Sequence, residues 1–283
     1  MNNKELLKIM GKMRDRMGII VALLIISLTD VVGQVEAVGA RSGSMGGVSA
    51  ALEDIWAGLN NPAGLTGIKG FSAGTSLEQR YLMKELGNYA ITVSIPAAKG
   101  TFGVSGLFSG YQSYQDQKVS LAYGMLFGKN VSAGASLVYI HQKAGNESEG
   151  LHQVSYNIGT IVNISEKVSM GFVTFNPFQL YYKSEEYATA PSVFTIGMAY
   201  RYTSFFTIHT EFEKNLDYPA QIKGGLEYSF KDVFTIRGGI RVFPASFSFG
   251  AAFRLKSILV EVASDYHQYL GFTPIIALQY GLH

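Results

Sequence analysis

The sequence predicts an all-β protein: a transmembrane, antiparallel, up-and-down barrel of about fourteen strands, preceded by a short plug segment containing a small helix. Three observations carry this. About fourteen segments of alternating apolar and polar residues run from Phe71 to His283. Their connections switch between tight joints (Gly128-Lys129-Asn130, Ser165-Glu166-Lys167, Thr203-Ser204, Lys231-Asp232, Lys256-Ser257) and longer polar stretches at 78–87, 143–151, 177–191, 215–220 and 266–271. No apolar run approaches the ~20 residues of a membrane helix, so a closed barrel is the one route across a bilayer.

The chain begins like a secreted one. Lys4, Lys8, Lys12, Arg14 and Arg16 form a basic region, residues 18–28 an apolar stretch too short to span, and Val31-Val32-Gly33 a small-residue cleavage site before Gln34. Residues 1–33 are therefore expected to be a signal peptide. They hold five of the 23 Lys+Arg and three of the 21 Asp+Glu, so their removal leaves 18 of each and no formal charge. The basic balance belongs to the signal and points to no nucleic-acid partner. With no cysteine, a disulfide framework and a lipid-modified N-terminal Cys are excluded.

The prefix, 34–69, contains Gly39-Ala40-Arg41-Ser42-Gly43-Ser44-Met45-Gly46-Gly47 and Asn60-Asn61-Pro62-Ala63-Gly64-Leu65. Between them 50–59 reads as a short helix, with Ser49 as N-cap and Glu53 and Asp54 in its early turns. Pro62 stops it, because proline disfavours helical geometry at the preceding Asn61. Trp56 and Leu59 need an apolar neighbour.

The barrel, 70–283, reads as strands 70–77, 88–96, 101–109, 118–127, 131–142, 152–163, 168–175, 192–202, 205–213, 221–230, 233–242, 246–254, 257–265 and 271–281. Most approach the ~9–11 residues of a tilted membrane strand. An even count places both ends of the barrel in the periplasm. Large apolar residues (Tyr89, Ile91, Val93, Ile95; Val119, Leu121, Tyr123, Met125, Phe127; Phe247, Phe249, Ala251, Phe253) alternate with small ones (Ala90, Thr92, Ser94; Ser120, Ala122, Gly124; Ser246, Ser248, Gly250, Ala252). Large residues suit lipid and small ones a crowded interior. Two aromatic girdles are expected: Tyr111, Tyr114, Tyr181, Tyr182, Tyr266 and Tyr269 toward the long loops, and Phe127, Tyr202, Phe205, Phe230 and Phe234 toward the short turns.

Projected inward, strands two to seven offer small uncharged residues: Ser94, Gly103, Ser105, Ser120, Gly124, Ser155, Asn157, Ser169 and Gly171. Strands eight to thirteen offer Arg201, His209, Glu211, Glu213, Lys223, Glu227, Arg237, Arg241, Arg254, Glu261 and Asp265. Opposite charges in that balance pair internally rather than select ions. The expectation is a smooth half that receives the prefix, with a hydrogen-bonded charge network beside it. Apolar lumen residues are only scattered, such as Leu107, Leu126, Ile161 and Phe175.

Catalytic and metal chemistry have no clear carrier. His141, His152, His209, His267 and His283 are scattered, His209-x-Glu211 supplies only two ligands on one face, and neither metal nor cofactor is expected. Gly70-Phe71-Ser72-Ala73-Gly74 fits G-x-S-x-G, but it opens the strand at 70–77 instead of turning from a strand into a helix, so it is no nucleophile elbow, and there is no Gly-rich strand-to-helix loop. Ser264 and Asp265 point to opposite strand faces and cannot cooperate. Asn146-Glu147-Ser148 and Asn130-Val131-Ser132 fit a glycosylation pattern that is uninformative in bacteria. The chain reads as a non-enzyme.

The G-A-R-x-x-x-M-G-G segment, the short helix and the N-P-A-G-L turn before a fourteen-strand barrel resemble the FadL-type outer-membrane proteins. The short chain and loops are more similar to the PorV/PorQ branch of Bacteroidota. The resemblance implies that 39–65 folds into the barrel as a plug, with Arg41, Trp56, Asn61, Pro62 and Gly64 as its marker positions. It departs at the C-terminus, where Tyr280 is followed by Gly-Leu-His instead of closing on an aromatic residue. The implied role is an accessory subunit of an outer-membrane secretion or assembly complex, type IX secretion among them. That role has outer-membrane lipid and another outer-membrane protein as partners, and a periplasmic N-terminus. The alternative is a FadL-like transporter for small hydrophobic molecules, which calls for an apolar pocket in the lumen.

Overall fold

A computed structural model describes residues 36–97, 99–111, 114–145, 150–177, 191–231 and 233–281. The signal segment, Tyr181, Tyr182, His283 and Asn146-Glu147-Ser148 lie outside the described residues.

Fourteen strands close one antiparallel barrel in which each strand pairs with its sequence neighbours and β1 with β14. They are β1 (Ser72–Gln79), β2 (Gly87–Ala97), β3 (Gly100–Tyr111), β4 (Tyr114–Phe127), β5 (Val131–Ala144), β6 (Leu151–Asn163) and β7 (Val168–Phe175). Then follow β8 (Val193–Arg201), β9 (Phe206–Asn215), β10 (Gln221–Phe230), β11 (Phe234–Val242), β12 (Ser246–Leu255), β13 (Ile258–His267) and β14 (Gly271–Gly281). The unusual C-terminus does not disturb register. β14 pairs along its length with β13 and holds β1 from Ser72↔Gly281 to Glu78↔Ile275. Ser72 and Gly281 therefore share the short-turn end. The rhythm of connections is less regular than the sequence suggests, since at the other end β11–β12 and β13–β14 are joined by three residues each.

The faces divide as the alternation requires. Phe249 on β12 is 54% exposed and Ser248, its neighbour, 5%. Tyr89, Ile91 and Ile95 are exposed while Ala90, Thr92 and Ser94 are buried. In a water-soluble sheet that outward belt of large apolar side chains would be the solvent face; in a bilayer it is the lipid face. No described helix is long and apolar enough to cross a membrane.

The described chain before β1, 36–71, lies inside the barrel and departs from the expected helix at 50–59. Among its described residues, α1 is Ala40–Gly43, followed by two 3-10 helices, η1 (Ile55–Gly58) and η2 (Pro62–Gly67). No helix starts after Ser49; the N–H groups of Ser49 and Ala50 both donate to Glu211 on β9, at 2.7 Å each. Asp54 is the cap of η1, accepting from Trp56 N at 3.0 Å. Pro62 begins a helix instead of ending one: it occupies the first position of η2, where its missing N–H costs nothing, and the Asn61 side chain accepts from Ala63 N. A short segment spread across the lumen gains more from wall contacts than from a continuous helix.

Candidate functional site: the lumen and its inner segment

The inner segment touches the small-residue half of the wall through backbone and Asn61. Asn61 is fully buried, and its Nδ2 donates to Ala50 O at 2.5 Å, with longer contacts to Thr160 O (3.3 Å) and Phe172 O (3.5 Å). Gly124, Gly134 and Gly159 are direct cross-strand partners on β4, β5 and β6. A Cβ on Gly134 would strike the Pro62 carbonyl, on Gly159 the Asn61 amide, and on Gly171 the Ala50 carbonyl. Glycine is needed there because a backbone passes where a side chain would stand. Gly64 answers in kind, packed against Leu52 O. Thr66 Oγ1 and Ser132 Oγ share a hydrogen bond of 2.8 Å. Trp56 is buried against Gly39, which has φ +104, in a cluster with Ala90, Ala263, Ile275 and Ala277. Its Nε1 has no hydrogen-bond partner among the described residues.

The charged half does not stand beside the segment; it grips it. Arg41 makes a two-pronged bond to Glu227, Nε–Oε2 3.0 Å and Nη2–Oε1 2.9 Å. Arg237 shares Glu227 (2.7 Å) and reaches Glu261 (2.6 Å), whose other oxygen accepts from Gln279. One level nearer the long loops, Lys223 Nζ bridges Glu213 (2.7 Å) and Glu211 (3.1 Å), and Glu211 holds Ser49 and Ala50. Arg241 pairs with Asp265 at 3.1 Å and with Glu36 at 3.5 Å, and Glu36 bonds Arg80 at 2.6 Å. The Glu36 carboxylate, followed by Glu78, raises the pKa of Arg80, which lies outside the strands. Each buried charge thus has an opposite charge in contact, as a low-dielectric interior demands.

Three projected residues fall outside these contacts. Arg201 is exposed at the short-turn rim, donating to Glu166 O at 2.8 Å and Ser169 Oγ at 2.9 Å. His209 is buried with Nε2 unpartnered among the described residues. Arg254 lines a cavity of about 440 Å³ at the short-turn end, together with Arg41, Glu53, Asp54, Glu227, Arg237 and Glu261. Its lining also includes Ile55, Ile68, Val233 and Leu259. Leu126, projected into the lumen, is 45% exposed at the rim, whereas Val138, Ile140, Val193 and Ile275 are buried apolar residues that the projection omitted. Among the described residues no three His, Asp or Glu side chains stand close enough to hold a metal ion.

The described inner segment runs from one end of the lumen to the other. Glu36, through Arg80 and Arg241, sits at the long-loop end, and the chain then crosses the lumen to enter β1 at the short-turn end. The sides of Ser72 and of Glu36 are therefore opposite.

No family model matches this chain, and no curated protein does. Solved structures share its fold. The toluene transporter TbuX of Ralstonia pickettii matches with a TM-score of 0.66 at 12% identity, over 88% of this chain and 100% of that one. The P. putida toluene transporter TodX gives 0.69 at 11%, again over 88% and 100%. A Pseudomonas aeruginosa FadL homologue gives 0.65 at 11%, over 89% and 100%. At such identities the likeness is one of architecture.

Proposed function

We propose that this chain is a non-enzymatic outer-membrane barrel of the FadL architecture that binds small hydrophobic molecules and assists their passage. The observation that carries the reading is the combination of a fourteen-strand barrel with an outward apolar belt and an inner segment bonded to the wall, in a fold shared with proteins described as toluene transporters and a FadL homologue. Short turns facing the periplasm put Ser72 and Gly281 there and Glu36 toward the outside. Residues 1–33 act as the signal, and 34–69 as the plug. The test is uptake of a small monoaromatic hydrocarbon by cells lacking other such transporters. Expression is expected to raise the uptake rate, and no gain over an unrelated barrel would sink the reading.

The accessory-subunit reading of the PorV/PorQ kind is second. It finds no support among the structural likenesses. What favours it is that charged side chains, Arg41, Arg237 and Arg254 among them, border the 440 Å³ lumen cavity where a transporter calls for an apolar pocket. Gentle extraction and affinity purification separate the two: a co-purifying large outer-membrane complex, with no uptake, supports the accessory role.

A further inference from the structure

The short-turn rim carries a ring of lysines. Lys69 precedes β1, and Lys99, Lys129, Lys167, Lys231 and Lys256 occupy the joints β2–β3, β4–β5, β6–β7, β10–β11 and β12–β13. All six are exposed. Glu166 is the exposed acid among the described residues of these joints; Asp232 lies outside the described residues, and Glu53 borders the lumen cavity. Immediately inboard, the outward wall is apolar, with Phe127, Ile164, Phe230 and Leu255 exposed. Lys231 Nζ stands 5.6 Å from the centre of the Phe230 ring, so this lysine folds outward over the apolar belt rather than toward the lumen.

We propose that this ring binds the anionic phosphate headgroups of phospholipids in the leaflet at the short-turn end. The proposal rests on the membrane-barrel reading above. Two arguments choose lipid over a protein. The lysines stand at the level where the apolar belt ends, which is where headgroup phosphates lie. They are also spread over five of the six hairpin joints of that end, around the circumference, whereas a docked protein covers a sector. Each lysine held against an anionic surface adds roughly fivefold in affinity, an attraction that fades within the Debye length.

The mature chain is refolded into vesicles of phosphatidylcholine alone and of phosphatidylcholine mixed with phosphatidylglycerol, and unfolded with urea at low and high salt. The wild type is expected to gain about tenfold or more in its folding equilibrium constant in the mixed vesicles at low salt, and to lose that gain at high salt. A variant carrying Lys99→Gln, Lys129→Gln, Lys167→Gln, Lys231→Gln and Lys256→Gln is expected to fold equally well in phosphatidylcholine and to keep little of the gain. Lys84→Gln with Lys143→Gln, at the opposite end, is expected to keep all of it. Equal stability of the wild type in both lipids, or a full gain in the five-lysine variant, overturns the proposal. Failure of the wild type to insert into either vesicle overturns the barrel reading beneath it. A photo-crosslinking residue at position 129 in cells supplies an independent readout: phospholipid adducts support the ring, and a single protein adduct overturns it in favour of a protein partner.

Discussion

Asn61 and Lys223 show how single residues fasten a segment that has little regular structure of its own. The Asn61 amide satisfies the Ala50 carbonyl from one side and the Ala63 N–H from the other, so it ties two stretches of the inner segment into one loop. Asn61→Ala leaves that buried carbonyl unpaired, and the expected cost is about 1–3 kcal/mol, read as a lower urea midpoint in vesicles. Lys223→Met is expected to cost more, about 3–5 kcal/mol, because Glu211 and Glu213 would remain buried as like charges without their cation. Restoring neutrality with Glu211→Gln and Glu213→Gln in the same chain should recover part of the loss. No recovery would mean that Lys223 serves through shape alone. Asn61 and Pro62 stood out in the sequence as an N-P step, a turn signal, but the sequence set Pro62 at the end of a helix and it opens η2. Gly134 and Gly159 did not stand out, since what makes them necessary is a backbone crossing the lumen above them, and that is set by cross-strand register.

Among the elements, the strands could be read and the inner segment could not, for one physical reason. A barrel strand declares itself by a period of two, imposed by lipid on one face and a crowded lumen on the other; β7, β10 and β14 begin and end where the alternation does. The inner segment faces wall on several sides in turn, so no period survives. In place of a continuous helix at 50–59, Glu211 on β9 holds the Ser49 and Ala50 N–H groups and the short η1 starts afresh at its Asp54 cap. The inward charges were visible as residues on β9 to β13, but not their targets, because Arg41 and Glu227 are 186 residues apart. The two faces can be tested on one strand. Phe249→Arg, or Val260→Arg on the neighbouring strand, puts a charge into lipid at a cost of about 2–4 kcal/mol at mid-bilayer. Ser248→Thr keeps the hydroxyl that accepts from Gly46 N at 2.6 Å. Assembly, followed as heat-modifiable migration on gels, is expected to fail for the arginine variants and persist for the threonine one; equal tolerance would contradict the lipid assignment.

For the whole molecule the question is whether fourteen strands enclose a pore. Eight strands already close around their own side chains, and fourteen leave space that something else must fill. Here that space contains 36–71, fastened at Glu36 near the long loops, at Ser49 and Ala50 midway, at Arg41 lower down and at Asn61 across the lumen. A cavity of roughly 440 Å³ remains at the short-turn end, bordered by charged side chains that pair with one another or with the segment. Such an interior is expected to block ions even in an aqueous lumen, because a passing ion would have to displace Arg41 from Glu227 or Lys223 from its two carboxylates. The purified barrel is therefore expected to be nearly silent in planar bilayers, and deletion of 39–65 to open it. Glu227→Gln, which weakens the Arg41 bond while leaving the strand intact, should produce brief openings between those extremes. Stable large conductance from the full-length chain would refute the plug. A deletion variant that folds and stays closed would instead assign the block to the charged wall, with Lys223, Arg237 and Arg241 collapsing into the vacated lumen.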